Sequence, residues 1–128
     1  MEKTMETTEK NEFGTIHISD RAVAVLATKA VAAVSPQVSL HRSFAETAAR
    51  KIGRLGDGYG VDVRLRDQEI ELTVRIDVKY GMRVPDLAIQ VQQAVKDTLE
   101  EMTGYTVTAV HVLVQSISFD GTGEGQDE

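Results

Sequence analysis

Between Glu69 and Tyr80, the apolar residues Ile70, Leu72, Val74, Ile76, Val78 and Tyr80 alternate with Glu71, Thr73, Arg75, Asp77 and Lys79. A strand sends successive side chains to opposite faces, so this pattern predicts a long strand with one buried and one polar face. Just before it, Val61, Val63 and Leu65 alternate with Asp62, Arg64 and Arg66, and Asp67-Gln68 joins the two runs as a hairpin. After it, Gly81 ends the strand and Pro85 stands where a first helical turn tolerates it. Leu87, Ala88, Val91, Ala94, Val95, Leu99 and Met102 then recur on one helical face, and Gly104 fits the residue just past the helix end. A last strand carries Val107, Val110, Val112, Val114, Ile117 and Phe119. Its alternation changes phase at Thr108–Ala109 and at Gln115–Ser116, which predicts at least one bulge.

The first half of the chain is patterned less regularly. Residues 14–18 read as a short strand with Ile16 and Ile18 facing inward. Ser19 is placed to cap a helix running from Asp20 to about Val34, whose stripe is Val23, Leu26, Ala27, Ala30, Val31 and Val34. Ser35-Pro36 stops it, because a residue before proline disfavours the helical region. Phe44, Ala48 and Ile52 predict a short helix over roughly 43–53, followed by a flexible connection containing Gly53, Gly56, Gly58 and Gly60. The order is β-α-(α)-β-β-α-β, an α+β class. Its economical arrangement is a four-stranded, mostly antiparallel sheet with the helices on one face, in ferredoxin-like topology. The first and last strands would then be neighbours.

With 128 residues, 41% of them hydrophobic, the chain suffices for one domain with a core of its own. It contains no cysteine, which removes disulfides, thiolate metal sites and thiol nucleophiles from consideration. No apolar run approaches the ~20 residues that span a bilayer, and the start is acidic where a signal peptide needs a basic, then apolar, segment. The expectation is a cytoplasmic protein with no direct membrane insertion. The net charge of −6 resides in the ends: residues 1–13 contribute −2, residues 120–128 contribute −4, and residues 14–119 are neutral. Both acidic ends are expected to be disordered tails flanking a domain at 14–119. Within that domain, residues 41–66 carry +3, with Arg42, Arg50, Lys51 and Arg54 as a candidate basic patch.

Catalytic chemistry finds little to work with. The histidines are His17, His41 and His111, and no two sit at the helical spacing of a metal site. On neighbouring first and last strands, His17 and His111 would share the open face of the sheet. Asp77 lies between Ile76 and Val78 but shares its face with Arg75 and Lys79, so a cross-strand ion pair accounts for it. Ser19, Ser39 and Ser116 lack the context of a nucleophile elbow. Gly53-Arg54-Leu55-Gly56 matches a bare GxxG loop, yet glycines and a strand follow where a second helix is needed. The open face also lacks the aromatics on which RNA bases stack. The residues therefore point to a binding or assembly module with no catalytic residues, no metal and no cofactor. Its candidate contact surface is His17, Arg75, His111 and Leu113, the leucine facing outward beside His111. Nucleic-acid or metabolic regulatory binding through the basic segment 41–66 is the alternative; it predicts binding that falls steeply with salt.

Five short motifs occur in one order: Gly14-x-Ile16-x-Ile18-Ser19-x-x-Ala22-Val23, Tyr59-Gly60-Val61-x-Val63, Val78-x-Tyr80-Gly81, Met102-Thr103-Gly104, and Val107-x-x-Val110-x-Val112-x-Val114-x-x-Ile117-x-Phe119. In this the chain resembles the bacterial alkaline shock protein family, also described as an envelope-stress or general-stress family, over about residues 13–119. The resemblance implies a small, non-enzymatic cytoplasmic protein of a family in which some members gather beneath the membrane by binding a membrane-anchored relative and affect cell-envelope homeostasis. The expectation for this chain is a stress-associated scaffold that self-assembles as a homo-oligomer and docks to a membrane-anchored protein partner. One branch is associated with control of fatty-acid synthesis. No catalytic residues are implied. Relatives lead the first helix into a Gly-Val turn, in whose place this chain has Ala33-Val34-Ser35-Pro36-Gln37.

Overall fold

A computed structural model describes residues 8–41 and 60–119. The elements are β1 (Thr8–Asn11), β2 (Gly14–His17), α1 (Asp20–Ala32), β3 (Val38–Leu40), β4 (Val61–Arg66), β5 (Glu69–Lys79), α2 (Val84–Thr103) and β6 (Thr106–Ser118).

The strand with the longest alternation, β5, organises the sheet. Along its whole length it pairs in parallel with β6, the two being joined by the crossover helix α2. Antiparallel to it, β4 pairs with residues 69–74 and β3 with residues 76–78. A strand has only two edges, so β3 and β4 lie end to end on one and β6 takes the other. Arg75 marks the junction: its carbonyl accepts from the His41 N–H at 2.8 Å, and its own N–H donates to the Gly60 carbonyl at 2.9 Å. Gly60 has a φ of +72°, and a Cβ there would stand 2.6 Å from the His41 carbonyl oxygen, so the junction requires glycine.

Both helices cover one face. Ile70, Leu72, Val74, Ile76 and Val78 of β5 are buried beneath Val23, Ala27 and Val31 of α1 and Leu87, Val91, Val95 and Leu99 of α2. The helix ends follow their caps: the Ser19 hydroxyl accepts from the Ala22 N–H at 3.1 Å, and Gly104 takes the left-handed conformation at φ 77°. Asp67 and Gln68 both adopt positive φ, the requirement of a tight two-residue hairpin. The β5–β6 ladder skips Thr108 and Gln115, so both phase changes in the sequence are bulges. At Ser35-Pro36, the Ser35 hydroxyl accepts from the Gln37 N–H at 3.0 Å and turns the chain into β3.

The α+β class, the mostly antiparallel sheet and the helices packed on it agree with the sequence reading; the strand neighbours do not. Residues 14–17 do not join the sheet beside the last strand as a ferredoxin-like order requires. They pair with Thr8–Asn11, within the stretch expected as a tail. Local pairing closes a shorter loop and costs less chain entropy than reaching the sheet. Asn11 fixes the turn by accepting from the Phe13 N–H through its side-chain oxygen at 2.8 Å. Ile16, expected inside, is exposed, while Ile18 packs against the core. Met102, expected in the buried stripe, is also exposed, since Leu99 is the last stripe residue that the core covers. The helix expected over 43–53 lies outside the described residues.

Glu100 fastens α2 to the start of β6. Its carboxylate accepts from Lys96 Nζ at 2.8 Å and from the Val107 N–H at 2.9 Å, and these bonds, the lysine's first, hold it below the usual carboxylate range. A carboxylate whose pKa falls on folding stabilises the fold above its unfolded value, and that contribution is lost as pH drops through the folded one. Glu100→Gln is therefore expected to lower the urea midpoint at neutral pH but to match wild type in strong acid. Equal midpoints at neutral pH would show that the contact adds no stability.

Candidate interaction surface

The face of β5 turned from the helices carries Glu71, Thr73, Arg75 and Asp77, and the three charged residues among these are matched across a strand. Glu71 meets His111 Nε2 at 2.9 Å, and Arg75 meets Asp62 at 2.7 Å. Asp77 Oδ1 is shared by His41 Nδ1 at 2.8 Å and the Ser116 hydroxyl at 2.6 Å. A Ser-His-Asp nucleophile needs the imidazole between hydroxyl and carboxylate. Here the carboxylate stands between the other two, so this contact provides no base for Ser116. The cluster ties β3, β5 and β6 together. Among the described residues, no three histidine, aspartate or glutamate side chains are grouped as metal ligands.

Of the residues singled out from sequence, Arg75, His111 and Leu113 come together here, Leu113 opposite Arg75 and His111 opposite Thr73 in the ladder. Leu113 is 45% exposed amid this polar face. Next to it, Arg75 Nη1 is buried and has no hydrogen-bond partner among the described residues. His17 does not belong to the group: it lies on β2, in the separate two-stranded sheet, so the expected pairing with His111 is not formed. Arg42, Arg50, Lys51 and Arg54 lie outside the described residues.

Sequence reasoning missed the free edge of β6. Among the described residues β6 has one strand neighbour, β5, so its other side is unpaired over 13 residues. The direction of its backbone groups follows from the ladder. Arg75 turns both of its groups toward β3 and β4, so the even-numbered residues of β5 turn theirs toward β6. In a parallel pair, the residue opposite such a group points its own N–H and C=O away. Val110, Val112, Val114 and Ile117, opposite Leu72, Val74, Ile76 and Val78, therefore present theirs to the free side. Two bonds agree with this assignment. Gln92 Nε2 donates to the Val110 carbonyl at 3.0 Å, whereas the Ser118 carbonyl turns inward to the Tyr80 N–H at 2.7 Å.

The edge is also apolar. Val114 and Ile117 are 37% and 42% exposed, because the helices cover the first half of β6 better than the second. Phe119 is 68% exposed and stacks edge-on against Tyr80 with ring centroids 5.2 Å apart. Alongside the first half of β6, a groove of about 240 Å³ is lined by Ile89, Gln92, Gln93 and Lys96 of α2 and by Val107–Val110. A signal for this edge was present in the sequence: from Thr106 to Ser118 there is no Lys, Arg, Asp, Glu or Pro. Those are the residues that normally blunt an exposed edge.

Comparison with known proteins extends over the same region. Residues 8–119 match the model of a family described as having a "cell envelope-related function", that of the alkaline shock proteins. The uncharacterized protein YqhY of Bacillus subtilis is 28% identical over 112 residues, covering 88% of this chain and 83% of the relative. The uncharacterized protein YloU of the same organism is 26% identical over 110 residues, covering 84% and 92%. The uncharacterized protein Spy1535 of Streptococcus pyogenes is 27% identical over 110 residues, covering 86% and 84%. No solved structure matches the chain.

Proposed function

The chain belongs to the alkaline shock protein family that its motifs resemble, and from that premise we propose that it is a non-enzymatic, stress-associated scaffold of cell-envelope homeostasis. It works by assembling with further copies of itself and by docking to a membrane-anchored protein. The observation that carries this reading is the free edge of β6, which is long, uncharged and bordered by exposed apolar side chains. Exposed strand edges bind by adding a strand from another chain: backbone hydrogen bonds supply affinity and the alternating side chains supply selectivity. The polar face beside this edge is internally neutralised, as suits a surface that other protein chains approach. No described helix is long and apolar enough to cross a membrane. In this reading the protein is cytoplasmic and reaches the membrane through its partner.

The test is to crosslink the tagged protein in its own host, separate membrane from soluble material and identify what is attached by mass spectrometry. Recovery with itself and with a membrane-spanning protein is the expected result. Recovery with soluble metabolic enzymes or RNA-associated proteins, and with no membrane protein, would overturn it.

A further inference from the structure

We infer that two copies of the chain join through β6, antiparallel about a twofold axis at Leu113, so that their sheets continue into one. This rests on the assembly reading above and adds the partner and the register. The two outer edges of the sheet differ in their protection. On one side β4 carries Asp62, Arg64 and Arg66 within six residues, whereas β6 carries no Lys, Arg, Asp or Glu in thirteen. An edge without such charges pairs readily with another strand, and the nearest uncharged strand of the right length is its own copy.

The backbone of β6 matches its own reverse. Val112 and Val114 both turn their hydrogen-bonding groups outward, so a twofold axis at Leu113 sets Val112 against Val114 of the second copy, and Val114 against its Val112. Each such pair exchanges two N–H to C=O bonds. The bulge at Gln115 then brings Ile117 opposite Val110 of the second copy, two residues whose groups also point outward. Every outward-facing residue from Val110 to Ile117 thereby gains a partner. The Val110 carbonyl, already bonded to Gln92, has a second lone pair for this purpose.

The side chains agree. Val110, Val112, Val114 and Ile117 lie on the helix side of the sheet, so the exposed Val114 and Ile117 pack on Val112 and Val110 of the second copy. Two residues beyond Ile117, Phe119 comes opposite the Val107–Thr108 stretch of the second copy, beside the part of the groove that Gln93 and Lys96 of its α2 line. The interface is isologous: it uses one patch twice and closes on itself.

The absence of cysteine from the natural chain gives a direct test. Facing residues of a non-hydrogen-bonded antiparallel pair stand about 4.5 Å apart at Cα, within disulfide range. The full-length Leu113→Cys chain is expected to form a covalent dimer on mild oxidation, about tenfold faster than Val25→Cys, an exposed control on α1, by the effective concentration of a fixed pair. A mixture of Val112→Cys and Val114→Cys chains carrying different tags is expected to link to each other faster than either links to itself. If wild type sediments as a dimer but neither experiment links faster than the control, the register is wrong and assembly uses another surface. If wild type sediments as a monomer at every concentration, this inference and the assembly reading both fail.

Discussion

Ile76→Ala is expected to lower the stability of the domain by about 2–5 kcal/mol, the usual cost of emptying a fully buried aliphatic site. Small domains have a total of about 5–15 kcal/mol, so this one change removes a large share. The site is a severe one because Ile76 is fully buried at the place where the whole sheet meets: Leu40 lies opposite it on β3 and Val114 on β6. Collapse around the cavity is limited because both neighbours are held by backbone ladders. Urea denaturation should show the loss as a lower midpoint with an unchanged slope. A loss below about 1 kcal/mol would mean that the site relaxes and that the core is looser than its burial indicates.

The same strand explains how much of the fold was legible from the sequence. Where one face is apolar and the other polar, period alone identifies strand, face and register, so β4, β5 and their turn could be read directly. The two bulges of β6 were legible for the same reason, since a skipped residue breaks the alternation at Thr108 and again at Gln115. Which strands lie side by side is not written in the period. The pairing of β3 and β4 end to end along β5 depends on Gly60, where the left-handed backbone and the close approach of the His41 carbonyl admit no side chain. In the sequence that glycine was one of four closely spaced glycines, with nothing to set it apart.

The candidate surface was half legible. Arg75, His111 and Leu113 were placed on one face by alternation, and that face is shared in the structure. His17 was assigned to it through a strand order that the hairpin of β1 and β2 replaces. The turn residues Asn11 and Gly14 were the available sign of that hairpin. The cluster of His41, Ser116 and Asp77 joins residues far apart in the chain, and only the sheet brings them together. The edge of β6 was missed because a strand's own pattern describes its faces and not its sides.

The most direct measurement of the central claim compares wild type with Leu113→Glu by size-exclusion chromatography with light scattering. Leu113 is exposed and sits beside Arg75, which gives the new carboxylate a counter-charge within its own chain, so the fold should persist and circular dichroism should be unchanged. Between copies, the two glutamates would face each other across the axis. Like charges so placed cost several kcal/mol, which weakens association by about a hundredfold or more. The account predicts an assembled wild type and a folded, monomeric variant. A variant that elutes at the wild-type mass would contradict it.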